Sequence, residues 1–168
     1  IRINKISLLI LFCLFGCQKF SFNQEDLQRL KSTKKCPKCN LRNSSLYKLD
    51  LNNANLSNAN LSNSNLSDVN LWKANLRGAD LTNADLSNAN LQYSNLNNAN
   101  LKGADLSRAD MTKAKLNSAK LDEVILCHTN MPDGKRSYLN CKGANLYNAN
   151  LFKANLSNKN LSKVDLGR

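Results

Sequence analysis

From Leu71 to Asp110 the chain reads LWKANLRGADLTNADLSNANLQYSNLNNANLKGADLSRAD. Leucine returns every fifth residue, at 71, 76, 81, 86, 91, 96, 101 and 106. Two residues before each leucine stands a small side chain, most often alanine, as at Ala74, Ala79, Ala84 and Ala89. One residue before it stands Asn or Asp, as at Asn75, Asp80, Asp85 and Asn100. An amphipathic helix repeats at about 3.6 residues and a half-buried strand at about 2, so this period belongs to neither. The small residue and the leucine lie two apart, on one face of a short extended segment. The remaining polar positions turn a corner, which suits Asn and Asp because their side chains bond nearby backbone and tolerate unusual dihedrals. Repetition coils the chain around a narrow axis, with leucine and alanine inside. Stacked coils then lie about 4.8 Å apart, the strand spacing, with like residues over like.

The register runs back through Leu66, Leu61, Leu56, Leu51 and Leu46 to Leu41, and forward through Met111, Leu116, Leu121 and Leu126 to Met131. It resumes at Leu146, Leu151, Leu156, Leu161 and Leu166, while Arg136 and Cys141 fill the positions between. This A-(D/N)-L-x-x pattern resembles the pentapeptide-repeat family over 41–131 and 142–166. The resemblance implies an all-β fold, a right-handed quadrilateral β-helix with one pentapeptide on each side of the coil. Residues 41–166 would fill about 6.5 coils, a length of about 31 Å. Residues 41–131 are read as the β-helix, 132–141 as an inserted loop and 142–168 as C-terminal repeats. Leu49 and Lys159 depart from the pattern, each standing where a small residue belongs.

At the N-terminus, Arg2 and Lys5 precede an apolar run from Ile6 to Phe15. The run is too short for a span of about 20 residues and has the flanks of a signal-peptide core. It ends Leu14-Phe15-Gly16-Cys17, which resembles the bacterial lipoprotein cleavage box and implies residues 1–16 as signal peptide and lipidation of Cys17. Residues 17–40 are read as a tether and N-terminal cap. Within them, Asn23 to Lys35 carries an N-cap, early acids and late cations, with Leu27 and Leu30 on one face, as a short capping helix requires. Gln18 is not the Asp that retains enterobacterial lipoproteins in the inner membrane. The resulting expectation is an exported protein on the periplasmic face of the envelope, at the outer membrane.

Two of six cysteines lie at positions 13 and 17, leaving Cys36, Cys39, Cys127 and Cys141. Two local disulfides suit an oxidising compartment. A four-thiolate zinc site remains an alternative by count, although the repeat separates the two pairs by about four coils, or about 20 Å. Cys36-Pro37-Lys38-Cys39 also has the spacing of a redox pair, without a βαβ context around it.

The net charge of +12 over 168 residues suggests nucleic acid at first sight. Yet residues 41–126 hold nine cations and eight anions, so the excess sits at the ends. No long basic stripe crosses the body, and no nucleic-acid partner is expected. A single histidine, His128, excludes multi-histidine chemistry and reads as a loop residue. No nucleophile–base pair, phosphate loop or clustered acid pair stands out, so neither catalysis nor a cofactor or metal is expected.

Trp72 and Lys73 follow the leucine at 71, Tyr93 follows 91 and Lys113 follows Met111, which the quadrilateral coil places on one face. Trp, Tyr and cations are common anchor types in interfaces. Pro132-Asp133-Gly134 is a turn signal and a second candidate surface, since loops on rigid scaffolds often carry binding.

These features point to a non-enzymatic envelope scaffold or binding module. Its membrane contact is the N-terminal lipid, and its partner is an unidentified envelope protein or glycan. The uncapped repeat end at Leu166 also leaves a homodimer open. The alternative comes from the family: some members imitate duplex DNA and bind type II topoisomerases, protecting them from quinolones. That role needs a cytosolic location and an acidic surface, which the signal and the near-neutral body oppose. Lys159, a charge aimed at the axis near the last coil, reads either as a frayed end whose side chain reaches out to solvent or as a block to end-to-end stacking. On the second reading Lys159→Ala is expected to increase self-association in sedimentation, and an unchanged monomer counts against that role.

Overall fold

The computed structural model describes residues 22–139 and 141. The segment read as a signal peptide, Cys17, the repeats read from 142 onward and Lys159 lie outside the described residues. Parallel bridges join residues twenty apart, from Lys35↔Asn55 to Asp110↔Asn130. Four successive bridges, at Asn55, Asn60, Asn65 and Asn70, precede the return to Asn75 above Asn55. Each coil therefore has four sides, one per pentapeptide.

The unit from Leu71 to Asn75 explains why the chain closes this way. The N–H of Leu71 donates up to Asn90 O (2.8 Å), that of Lys73 to Gln92 O (2.9 Å) and that of Asn75 down to Ala54 O (2.8 Å). Ala74 N–H closes the turn on Leu71 O at 2.9 Å. Trp72 N–H donates to the side-chain Oδ1 of Asn70 at 3.2 Å. Every backbone donor of the unit is satisfied, as a buried backbone demands. Only the third turn residue takes a positive φ, as at Asn53 (55°), Lys73 (55°) and Tyr93 (58°), which is the requirement of a type II turn. Asn and Gly bear that conformation more easily than other residues.

The leucines of the five-residue register from 41 to 106, with Met111, lie fully inside beside the small residues Ala54, Ala59, Ala74 and their equivalents. Each buried leucine contributes roughly 2 kcal/mol. Leu49, larger than its slot-mates, is only partly buried and packs against the same core.

Regular pairing starts earlier than the leucines indicate. Lys35 already bridges Asn55, inside the segment read as tether. Cys36-Pro37-Lys38-Cys39 is itself a repeat: Cys36 N–H donates to Asn55 O at 2.7 Å, and Lys38 takes the positive φ of 58°. Cys36 fills the leucine position and Cys39 the small one, joined as a disulfide with a Cα–Cα distance of 5.4 Å. Helix α1 (Gln24–Thr33) precedes it, with Asn23 as N-cap accepting from the N–H groups of Glu25 and Asp26. Its Leu27 and Leu30 join the solenoid core. Asn23 N–H donates to Asn40 O (2.9 Å), and Asn40 N–H donates to Asp26 Oδ2 (2.8 Å), tying the helix to the first coil.

The other correction concerns the segment read as a loop leaving the solenoid. Strand β1 (Leu126–Asn130) continues the coil, receiving the N–H of Arg108 at Cys127 O and that of Met111 at Asn130 O. Strand β2 (Arg136–Leu139) then folds back antiparallel along β1, with a register shift at His128. The segment is thus a hairpin built on the last described coil. Thr129, buried within it, donates its hydroxyl to Leu106 O at 2.6 Å. Cys127 and Cys141 form the second disulfide, with a Cα–Cα distance of 4.8 Å.

One core polar group distinguishes otherwise equivalent slots. Ser44 and Ser64 donate their hydroxyls to Leu41 O and Leu61 O, at 2.6 and 2.5 Å. Ser94, fully buried in the corresponding position, has no partner for its hydroxyl. Ser94→Ala is expected to stabilise the protein by about 1 kcal/mol, and Ser64→Ala to destabilise it by about as much. Urea midpoints at constant m-value measure both; equal effects of one sign would contradict the distinction.

Candidate binding surface

One side of the coil turns through Trp72-Lys73, then Gln92-Tyr93, Thr112-Lys113 and Pro132-Asp133 at successive levels. Backbone rungs fix this column: Lys73 N–H to Gln92 O (2.9 Å), Tyr93 N–H to Thr112 O (3.0 Å) and Lys113 N–H to Pro132 O (3.0 Å). The two candidate surfaces of the sequence, the aromatic–lysine set and the Pro132-Asp133-Gly134 turn, therefore form one continuous corner. They merge because the hairpin turn begins in the slot that continues the column.

The Trp72 and Tyr93 rings meet edge to face, with centroids 6.4 Å apart and planes at 74°. Lys73 Nζ sits 4.1 Å over the Trp72 ring, and Lys113 Nζ lies 5.2 Å from the Tyr93 centroid. Lys113 also donates to the Tyr93 hydroxyl at 3.1 Å. Trp72 is half-buried and Tyr93 is exposed at 45%. Neither lysine enters an ion pair among the described residues. Above them, Gly134 takes φ 80° and donates its N–H to Met131 O at 2.9 Å. Asp133 accepts from Lys135 N at 3.0 Å and pairs with its ammonium at 3.3 Å. That backbone bond, with the Lys135 side chain, holds the Asp133 carboxyl below the usual range. The corner offers an apolar body, a phenol and two lysines for recognition; it holds no nucleophile beside a base.

The remaining acids serve the turns. Asp85 and Asp105 accept the N–H groups of Ser87 and Ser107 at 2.9 and 2.8 Å. Burial opposes the charge of Asp110, but hydrogen bonds from Thr112 and Gln92 prevail and lower its carboxyl pKa. The sole cluster of metal-ligating types among the described residues is Asp26, Cys36 and Cys39, within 4.8 Å of one another. Both sulfurs there are joined in the disulfide, and the Arg29 guanidinium donates to Cys39 Sγ at 2.9 Å. The set thus offers no thiolate and already holds a cation, so it does not fit zinc.

The sequence reading missed one grouping. Arg108 and His128 occupy successive levels of the neighbouring corner, and β2 brings Arg136 and Tyr138 beside them. The spacing of twenty that united Trp72 with Tyr93's column applies to this pair also. Burial, then the charges of Arg136 and Arg108, lowers the His128 pKa below its ordinary value.

Fold and corner together define a solenoid of stacked pentapeptide coils. The profile of pentapeptide repeats matches residues 35–63, 64–103, 94–131 and 137–168, so the chain belongs to the pentapeptide-repeat family. Members of this family are right-handed quadrilateral β-helices. Among solved structures, a pentapeptide repeat protein from the Arabidopsis thaliana thylakoid lumen is 27% identical, covering 49% of this chain and 58% of that one, with TM-score 0.49. The chain thus spans little more than half the length of that protein. A pentapeptide repeat protein from the cyanobacterium Cyanothece 51142 is 30% identical over 64% of this chain and 95% of its own, with TM-score 0.46. The plasmid-mediated fluoroquinolone resistance protein QnrB1 is 20% identical over 58% of this chain and 52% of its own, with TM-score 0.27. A comparison with curated proteins finds no match.

Tyr93 stands in a positive-φ slot that Asn53, Asn83, Asn88 and Asn98 fill elsewhere. A ring there costs backbone energy of about 1 kcal/mol and recovers about as much through its aromatic contact. Tyr93→Asn is expected to leave stability within about 1 kcal/mol of the parent, read from thermal and urea unfolding. A much larger loss would make the ring structural.

Proposed function

We propose that this protein is a non-enzymatic binding scaffold of the cell envelope, exported and held at the membrane by a lipid on Cys17. The observation that carries the binding role is the continuous corner of Trp72, Lys73, Tyr93, Lys113 and the Pro132–Gly134 turn. Its side chains are of the types that dominate interfaces, mounted on a coil whose backbone donors are internally satisfied. The two lysines, which enter no ion pair among the described residues, favour an acidic or carbonyl-rich partner surface, of an envelope protein or a glycan. The anchoring role rests on the N-terminal segment, where Leu14-Phe15-Gly16-Cys17 follows a short apolar run and resembles the bacterial lipoprotein cleavage box.

The DNA-mimic reading asks for a strongly acidic face. The balance of nine cations and eight anions over 41–126 does not favour it. Fractionation separates the two readings. Membrane pelleting that is lost in Cys17→Ser supports the anchored scaffold, whereas cytosolic protein that inhibits or shields a type II topoisomerase overturns it. Crosslinking in the envelope fraction is expected to lose its partner band in Trp72→Ala and Tyr93→Asn with the fold retained. Undiminished capture by both variants would remove the corner from the proposal.

A further inference from the structure

The corner beside the aromatic one ends in a second arrangement. Arg108 donates its backbone N–H to Cys127 O at 2.8 Å, so His128 stands one coil above Arg108, about one strand spacing away. His128 is the bulge residue, lying between the pairs Cys127↔Tyr138 and Thr129↔Ser137, with φ 59°. Bulges re-aim side chains, and here the imidazole meets the Tyr138 ring edge to face at 5.0 Å. Opposite Asn130, Arg136 donates its Nε to Asn130 Oδ1 at 3.3 Å, which orients its guanidinium. Both arginines are exposed, and neither forms an ion pair among the described residues. The groups facing the imidazole are Arg108 from the coil below and Arg136 and Tyr138 from β2.

Like charges brought together across a ladder are unfavourable on their own, and forked guanidinium donors match oxyanions. We infer that Arg108, His128 and Arg136 form a binding site for a phosphate- or sulfate-type oxyanion, either free or as the headgroup of a lipid. The two guanidiniums supply fixed charge, and His128 adds a third donor when protonated. The site therefore binds more tightly below neutral pH, where the anion itself favours the imidazolium. This inference is independent of the role given to the aromatic corner.

His128 is the only histidine in the chain, so its ring protons report the site directly by NMR. In chloride its titration midpoint is expected below the ordinary value for histidine. Inorganic sulfate at constant ionic strength, a dianion throughout this range, should raise the midpoint saturably by about one pH unit. In the double variant Arg108→Gln/Arg136→Gln the resting midpoint should rise, and the response to sulfate should vanish. A third arm uses phosphatidic acid vesicles. A response to vesicles but not to inorganic sulfate or phosphate assigns the headgroup as the source. If neither salt nor vesicles move the midpoint more than chloride does, or if the double variant responds as the parent does, the site is refuted.

Discussion

From Asp50 to Asp110 the solenoid depends on one hydrogen bond per pentapeptide, from the second turn residue's N–H to the side chain that precedes the leucine. Three of the five backbone donors point along the axis to neighbouring coils, and a fourth closes the turn. The fifth, such as Trp72 N–H, has no carbonyl to meet and finds Asn70 Oδ1. Asn55, Asp80 and Asp110 do the same for Ser57, Thr82 and Thr112. Asn or Asp before the leucine therefore serves the backbone as leucine serves the core; where Lys115 stands there instead, Asn117 N–H turns to Asn97 Oδ1 of the coil below. With these donors met inside the coil, the outward turn side chains are largely released from structural duty.

The same logic explains the two ends. A stacked coil exposes unpaired donors and a core cross-section at each terminus, a liability that edge strands share. At the start, α1 lays Leu27 and Leu30 on the first coil, and Asp26 accepts the N–H of Asn40. The disulfide of Cys36 and Cys39 takes the place of a leucine–alanine pair just where fewer neighbours hold the turn. At the last described coil, β2 covers the outer edge of β1, and the second disulfide pins the return. Closing its loop is worth about 3 kcal/mol in the chain-entropy account.

The fold was legible because the period of five is strict and leucine marks it. The first repeat was not legible, because Cys36 and Cys39 stand where the marker residues should be; the turn signal of Pro37 and the following Asn40 were the only traces. The hairpin escaped for a related reason. Its first strand keeps the register through Leu126 and Thr129, and only the return strand departs from it. The aromatic set was readable from the spacing of twenty between equivalent corners. The Arg108–His128 stack obeys the same spacing, but Arg136 reaches it only through antiparallel pairing, which no periodicity encodes.

The corner conformation separates structural from functional demand. A positive φ favours Asn or Gly, and Asn53, Asn58, Asn63, Asn83, Asn88 and Asn98 meet that preference, as do Gly78 and Gly103. Lys73, Tyr93, Lys113, Arg108 and His128 hold the same conformation at a cost. Lys38, Lys48, Asp68, Ser118 and Glu123 hold it as well, so exceptions occur on every corner, but the two rings among them, Tyr93 and His128, stand on two adjoining corners. Strained backbone tends to be kept where the side chain has work to do. The rings at Tyr93 and His128, each stacked with cations of its own column at Lys73 and Lys113 or at Arg108, are the part of that departure from Asn and Gly that places recognition chemistry on two adjoining corners.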